Sequence, residues 1–154
     1  MGFIEDALYA QIKDHVPVLC VDILVVCAGK VLLMRRLNEP VKGHWWTPGG
    51  RVHKWERLAE AAVRKLREET GISIKESALS YQLGVVEAMY PEQGSHTPTV
   101  VFSVYLEQFP SVVMDSQNDL CLWWNGSKSD VRLHPYVTAT IKLLGKGEWF
   151  DVVN

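Results

Sequence analysis

The sequence has few cysteines, and their spacing excludes the small folds that depend on cysteine. Only three are present in 154 residues, at Cys20, Cys27 and Cys121, and no two of them form a C-x-x-C pair. An odd, widely spaced set specifies neither a disulfide framework nor a zinc knuckle. We therefore expect three buried thiols in a reducing compartment.

Long apolar runs and an excess of basic residues are also missing. The longest apolar stretches fall well short of the roughly 20 residues that span a bilayer, and residues 1–6 carry acids where a secretory signal has its basic segment. Sixteen Lys and Arg against eighteen Asp and Glu give a net charge of −2, without the basic excess of phosphate-backbone binders. These absences predict a cytoplasmic protein that binds neither membranes nor nucleic acids.

The residues that are present have the composition of an ordinary globular domain. Hydrophobic residues make up 47% of the chain and charged residues 22%, which excludes disordered, collagen-like and coiled-coil chains. A chain of this length buries roughly 70% of its unfolded surface. We expect one domain over residues 1–154, with a packed core.

Apolar spacing and turn residues predict a mixture of strands and helices. Helical spacing gives way to β-branched runs, and Pro- and Gly-containing segments separate them. In chain order we predict a helix over 4–14, a hairpin of strands 18–27 and 31–36, a loop over 37–46, a short extended piece over 51–53, a helix over 56–69, strands over 81–90 and 100–109 around a loop at 91–98, a strand over 120–124 and a helix over 134–144.

The helix over 56–69 holds a carboxylate close to its apolar face. Leu58, Ala62 and Leu66 recur at four-residue spacing and form the apolar stripe. Glu69 falls at the edge of that stripe. Gly71 follows and is expected to end the helix as a left-handed cap.

The polar side of this helix has two interpretations. Composition alone favours a solvated face joined by Glu60–Arg64–Glu68 and Lys65–Glu69 pairs, each worth about 0.2–0.5 kcal/mol. Spacing favours a motif instead. The run reads Gly50-x5-Glu56-x7-Arg64-Lys65-Leu66-Arg67-Glu68-Glu69-Thr70-Gly71-Ile72. It resembles the Nudix box, G-x5-E-x7-R-E-U-x-E-E-x-G-U with U an aliphatic residue, and departs from it only at Lys65, where the family has a glutamate.

The resemblance over residues 50–72 implies an α/β fold, namely an α/β/α sandwich with a mixed β-sheet, in which the box forms a metal-binding loop–helix–loop. The chemistry is consistent with that implication. Hard divalent cations held by carboxylates screen a diphosphate and assist its leaving group. Mg²⁺ is the expected cofactor, and Mn²⁺ is an expected substitute.

A second resemblance points to one branch of the family, the GDP-mannose mannosyl hydrolases, through residues 33–40 and 43–51. That branch also lacks the glutamate at the position of Lys65. The resemblance implies that the metal is held by the Gly49 carbonyl, Glu69 and Gln117, with Glu68 as a further carboxylate ligand. It implies that catalysis involves Asp22, Arg36, Arg51, Arg64 and Glu68, and that the substrate is bound by Arg36, Arg51, Asp22 and Asn118.

The chain departs from that branch at two histidines. The branch has its general base at the position of Asn118, whose amide cannot take a proton, and another histidine at the position of Ala88. His96 is an alternative base, although a solvated loop histidine is the commoner case; Asp119 and Glu92 are further candidates. Attack on the sugar carbon and attack on phosphorus both remain open.

These observations predict Mg²⁺-dependent hydrolysis of a nucleoside diphosphate linked to another group, with a nucleotide sugar such as GDP-mannose as the substrate. The partner is a small nucleotide, and a homodimer is compatible with the sequence. The alternatives are a nucleoside triphosphate pyrophosphohydrolase and a catalytically weak domain that binds nucleotide sugars. Retention of Glu68, Glu69 and Gln117 argues against the last of these.

Overall fold

A mixed β-sheet carries the fold of the protein, for which a computed structural model describes residues 4–126, 131 and 133–145. The first three residues of the N-terminal segment considered above lie outside this description. The elements in chain order are α1 (Asp6–His15), β1 (Cys20–Cys27), β2 (Lys30–Arg36), β3 (Trp45–Trp46), β4 (Gly49–Arg51), α2 (Leu58–Thr70), β5 (Leu79–Tyr90), β6 (Ser95–Leu106), β7 (Asn118–Trp124) and α3 (Pro135–Lys142). None of the helices in the described ranges is long and apolar enough to cross a membrane.

The seven strands form one sheet around β1. The main path runs β3-β2-β1-β6-β5, while β4 pairs with β1 and β7 with β2. The β1–β6 pair is parallel, from Cys20 opposite Thr99 to Cys27 opposite Leu106, and the other pairs are antiparallel. Residues 21–27 of β1 are all buried, as expected for a strand that is covered on both faces.

Helices cover both faces of the sheet, which confirms the α/β class and the mixed sheet. Alternate β1 residues point to opposite faces, so Ile23 packs with Leu66 of α2 and Leu24 packs with Val137 of α3. The adjacent tryptophans of β7 divide in the same way. Trp123 packs against the α2 side and Trp124 lies in the α3 side.

The charged helix forms as predicted but begins two residues later, at Leu58. The Glu56 carboxylate accepts a hydrogen bond from the His53 amide at 2.9 Å, which closes a turn before the helix. Glu60 accepts from the Arg57 backbone amide at 3.0 Å and caps the first turn. Gly71 adopts φ +72° and ends the helix as a left-handed cap.

Strand pairing changes several predicted boundaries. Strand β6 begins at Ser95 rather than at residue 100, because residues 95–98 pair with β5 and leave a turn of Pro91–Gln93 and Gly94. Trp45–Trp46, predicted as loop, is a short strand on β2. The extended piece predicted at 51–53 forms instead at Gly49–Arg51, where β1 provides the hydrogen-bonding edge.

The expectation of three buried thiols is wrong for one cysteine. Cys27 is buried and Cys20 half-buried, whereas Cys121 is exposed on β7. Among the described strands, β7 pairs only with β2 and is therefore an edge strand. Its residues are less covered than those of the central strand β1. Burial raises the pKa of the Cys20 thiol to about 12.

Candidate active site

One cavity of about 710 Å³ brings together residues from each of the strands and helices given above. All seven strands and all three helices contribute to its walls, with Trp46 from β3, Asn118 from β7 and Tyr136 from α3. The metal, catalytic and substrate-binding residues that the resemblance implies all line it: Asp22, Arg36, Gly49, Arg51, Arg64, Glu68, Glu69, Gln117 and Asn118. Of the three alternative bases, His96 lines it and Glu92 and Asp119 do not.

Glu69 is the most buried carboxylate of the box, with 8% of its surface exposed. It accepts a hydrogen bond from the backbone N–H of Gly49 at 3.1 Å. It also forms an ion pair with Lys65 Nζ at 2.8 Å. Burial raises the pKa of Glu69, while the Lys65 ammonium and the Gly49 amide oppose that shift. Glu69, at the edge of the apolar stripe, is therefore a buried carboxylate whose charged form is stabilised by these two partners.

Two glycines let the β4 backbone approach these side chains. A Cβ on Gly49 would overlap Asp22 Oδ1 and the Val21 carbonyl oxygen. A Cβ on Gly50, which has φ +150°, would lie 2.6 Å from Lys65 Cε. The Gly49-Gly50 pair is thus required for β4 to pack against β1 on one side and α2 on the other.

Arg64 joins the loop before α2 to the helix. Its Nε donates to Glu56 Oε1 at 2.6 Å and its Nη2 to Glu56 Oε2 at 2.8 Å, and Nη2 also donates to the Arg51 carbonyl at 3.0 Å. A further pair at 3.1 Å reaches Glu68. The predicted Arg64–Glu68 and Lys65–Glu69 pairs are present, whereas Glu60 pairs with Arg57 instead of Arg64.

Asp22 is a buried carboxylate held by two hydroxyls. Thr47 Oγ1 and Tyr136 Oη each donate to Asp22 Oδ2 at 2.9 Å. Burial raises the pKa of Asp22 to about 7, while the two hydroxyl hydrogen bonds lower it. The Tyr136 ring also stacks on Trp46 at 4.5 Å, so Trp46 is occupied by neighbours within the chain.

Arg36 and Arg51 retain unneutralised charge at the cavity. Within the described residues neither forms an ion pair with a carboxylate. Arg36 Nε donates to the Pro40 carbonyl at 3.1 Å, and its guanidinium lies 5.5 Å from the Trp46 ring centre. The Arg51 guanidinium lies 4.5 Å from the ring centre of Tyr9 in α1. Both guanidinium groups remain free to bind an anion.

Asn118 has its amide committed as a donor. Asn118 Nδ2 donates to Asp115 Oδ1 at 3.1 Å, and the backbone N–H of Gln117 donates to the same oxygen at 3.0 Å. Asp119 is outside the cavity lining and forms an ion pair with Arg35, which lowers the pKa of the Asp119 carboxyl.

The other candidate bases are placed differently. His96 lines the cavity with Nε2 3.6 Å from Glu87. It lies five residues along β6 from the partner of Asp22, a separation of about 16 Å at the usual strand rise. Ala88 also lines the cavity, whereas Glu92 does not.

Among the aromatic residues that line the cavity without having been predicted there, Tyr136 and Tyr9 contact predicted site residues from the two flanking helices. Tyr136 lies 114 positions from the carboxylate that it binds, and Tyr9 belongs to a helix that we predicted without a contact to the site. No local pattern connects either residue to its partner. A tyrosine within each of the two flanking helices is the only feature that could have directed attention to them.

The donor set suits a hard divalent cation. The Glu68 and Glu69 carboxylates, the Gly49 backbone and the Gln117 amide line one cavity. In the described ranges no three His, Cys, Asp or Glu side chains cluster as a metal cage. Mg²⁺ characteristically uses one or two carboxylates and shares its remaining positions with water and substrate phosphates, so these residues fit such an ion.

Comparisons with known proteins agree with this geometry. The NUDIX domain family matches residues 16–143. A low-salt glycan biosynthesis protein of Haloferax volcanii is 32% identical over 140 residues, which cover 87% of this chain and 86% of that protein. The phosphatase NudJ of Escherichia coli is 32% identical over 149 residues, which cover 91% and 89%. The solved MutT protein of Methanosarcina mazei Go1 superposes with a TM-score of 0.71 at 25% identity, covering 83% of this chain and 93% of that one. The chain belongs to the Nudix family of hydrolases.

Proposed function

We propose that the chain hydrolyses a nucleoside diphosphate linked to another group, and that its substrate is a nucleotide sugar of the GDP-mannose type. The observation that carries the proposal is the pair of unneutralised guanidinium groups, Arg36 and Arg51, in the cavity that also contains Glu68 and Glu69. Two positive groups match the two phosphates of a diphosphate, and a carboxylate pair matches a divalent cation bridging to them.

The sugar part of the proposal has separate support. Residues 33–40 and 43–51 resemble the GDP-mannose mannosyl hydrolases, and the Haloferax relative is named for glycan biosynthesis. The cavity of about 710 Å³ is within the usual range for small-molecule sites. A nucleoside diphosphate with one attached sugar is compatible with that volume.

The cofactor that we propose is Mg²⁺, with Mn²⁺ as a substitute. Glu69, Glu68, the Gly49 carbonyl and Gln117 would hold it. When bound, the cation supplies charge to the diphosphate and lowers the pKa of a bound water. Glu69 is the central ligand in this proposal, because it is the carboxylate that α2 keeps at the cavity in a fixed position.

The remaining residues have distinct proposed roles. Arg36 and Arg51 bind the phosphates and neutralise charge on the leaving group. Arg64 is a positioning residue, since its hydrogen bonds tie Glu56 and the Arg51 backbone to α2. Asp22 positions β4 and the Tyr136 ring. Asn118 binds the substrate as a polar side chain.

We propose that water attacks phosphorus rather than the sugar carbon. Asn118 donates to Asp115 and has no basic atom for the water beside a sugar carbon. Asp119 is committed to Arg35. Glu68, with 44% of its side chain exposed, forms ion pairs with Arg64 at 3.1 Å and Lys65 at 3.4 Å, which hold it as a charged group beside the proposed metal site.

The cysteines and the net charge support proposals about the compartment and the ligand class. The three cysteines are free, which is usual in a reducing cytoplasm. The net charge of −2 disfavours nucleic acid as a ligand. We propose a cytoplasmic enzyme, a single domain over residues 1–154, and a homodimer as the assembly to be tested.

A substrate panel tests the proposed function. Purified protein with Mg²⁺ is incubated with nucleotide sugars, dinucleotide-type diphosphates and nucleoside triphosphates, and the products are identified by mass spectrometry. We expect the highest kcat/KM for a nucleotide sugar. A clear preference for triphosphates would favour the pyrophosphohydrolase alternative, and binding without turnover would favour the nucleotide-sugar-binding alternative.

Two single substitutions in α2 test whether the turnover measured with the panel depends on the proposed metal site. Glu69→Gln keeps the size of the side chain and removes its charge, so turnover should fall by about a hundredfold. Glu60→Gln is the matched control, because Glu60 lies outside the cavity lining and pairs with Arg57. Turnover of Glu69→Gln within about threefold of the parent at saturating Mg²⁺ would refute the assignment of Glu69 as a metal ligand.

A further inference from the structure

Lys65 places a positive charge between the two carboxylates proposed to bind the metal. Its Nζ lies 2.8 Å from Glu69 Oε1 and 3.4 Å from Glu68 Oε2. Only 12% of its side chain is exposed, and it lines the cavity. Burial lowers the pKa of the Lys65 ammonium, but the charges of Glu69 and Glu68 outweigh that effect and raise it.

The position of the lysine is fixed by more than its ion pairs. The aliphatic stem lies over Gly50, where a Cβ would be 2.6 Å from Lys65 Cε. The neighbouring Gly49 amide donates to the other oxygen of Glu69. Backbone and ammonium therefore approach the same carboxylate from different directions, and the side chain has little freedom to move away.

The charge balance of this helix face depends on residue 65. Residues 65, 68 and 69 share one face of α2 at i, i+3 and i+4. With lysine at position 65, one ammonium group neutralises part of the charge of the two carboxylates. With glutamate at that position, three adjacent carboxylates would face the cavity. Three carboxylates attract and can share two divalent cations, whereas the present set loses both a ligand and a negative charge.

We propose that Lys65 is a resident counter-cation that limits this carboxylate pair to one divalent metal ion. Its ammonium takes the space and the charge that a second ion would need, and it leaves a single site centred on Glu69. The inference rests on the proposed assignment of Glu68 and Glu69 as metal ligands. It specifies the stoichiometry of the site and the residue that sets it.

Mn²⁺ binding without substrate tests the proposal. Mn²⁺ is titrated into the metal-free protein and the free ion is followed by electron paramagnetic resonance. The parent should bind one equivalent. The Lys65→Met substitution removes the competing charge, so this variant should bind one equivalent of Mn²⁺ about tenfold more tightly than the parent. Lys65→Glu should bind a second equivalent. Circular dichroism and thermal melting establish that each variant is folded.

Lys75→Met is the control, because it removes the same charge from an exposed position outside the cavity lining. It should bind Mn²⁺ as the parent does. Two tight equivalents in the parent, or an affinity of Lys65→Met within about twofold of the parent, would overturn the proposal. No turnover is measured, so a failed substrate panel with the expected stoichiometry would contradict the proposed function alone.

Discussion

The charges of the site divide into those already paired within the chain and those left for a ligand. Arg64 is held by Glu56, Glu68 and a backbone carbonyl, whereas Arg36 and Arg51 have no carboxylate partner among the described residues. A paired guanidinium has little to gain from a phosphate, because binding must first replace its existing contacts. This difference supports the proposed roles of Arg64 as a positioning residue and of Arg36 and Arg51 as phosphate-binding residues.

The Glu56–Arg64 pair makes a prediction about stability and pH. The hydrogen bonds from Arg64 lower the pKa of Glu56 below its ordinary 4.5. A carboxyl with a lowered folded-state pKa adds stability above its unfolded-state pKa, and that contribution disappears as the pH falls through the folded-state pKa. Glu56→Gln should therefore lower the free energy of unfolding by about 2 kcal/mol at pH 7.

Urea unfolding at a series of pH values checks this expectation. The difference between parent and Glu56→Gln should be constant from pH 8 to pH 6 and should shrink below pH 4.5, the ordinary pKa of the group. Glu60→Gln, which alters an exposed pair with Arg57, should show a much smaller difference at every pH. A Glu56→Gln difference that persists unchanged at pH 3 would contradict the electrostatic explanation.

Helix α1 is the least buried of the three α-helices in the described ranges, and yet it lies at the site. None of its residues is fully buried, but Tyr9 lies under the Arg51 guanidinium at 4.5 Å. The cation–π contact fixes the guanidinium of an otherwise unpaired arginine. Apolar spacing predicted α1, but the position of α1 beside β4 depends on tertiary contacts that the spacing does not encode.

A double-mutant cycle tests whether α1 contributes to binding through Arg51. Tyr9→Leu should weaken the affinity for a nucleoside diphosphate about threefold to tenfold, the range of a partly exposed cation–π contact. Tyr9→Phe keeps the ring and should behave as the parent. In an Arg51→Ala background Tyr9→Leu should have no further effect, as measured by isothermal titration calorimetry.

Leu8→Ala is the control on the same helix, because Leu8 is exposed and outside the cavity lining. It should leave nucleotide affinity unchanged. Equal losses from Tyr9→Leu in the parent and in the Arg51→Ala background would show that Tyr9 acts independently of Arg51.

Local sequence patterns predicted the individual helices and strands better than they predicted how these elements pair and pack. The apolar stripe of Ala62 and Leu66, the Gly71 cap and the edge position of Glu69 depend on helical geometry alone, and each is present as predicted. The β6 start was missed because residues 95–98 are strand only through their pairing with β5. Periodicity within one segment carries no information about such a partner.

The site shows the same division. Its residues on α2 and the preceding loop follow from the motif, because contiguous spacing fixes their relation. The parallel β1–β6 pairing and the Asp22–Tyr136 contact join distant parts of the chain. The contact with α3 places Tyr136 against β1, and no spacing rule in the sequence specifies it.

We propose that water attacks phosphorus in a nucleoside-diphosphate-linked substrate bound in this cavity. The most direct test is hydrolysis in ¹⁸O-water of GDP-mannose, or of the nucleotide sugar that the panel identifies, with product analysis by mass spectrometry. Attack on phosphorus predicts ¹⁸O in a phosphate-containing product. Label only in the free sugar, with an unlabelled nucleoside diphosphate, would contradict attack on phosphorus and show attack on the sugar carbon.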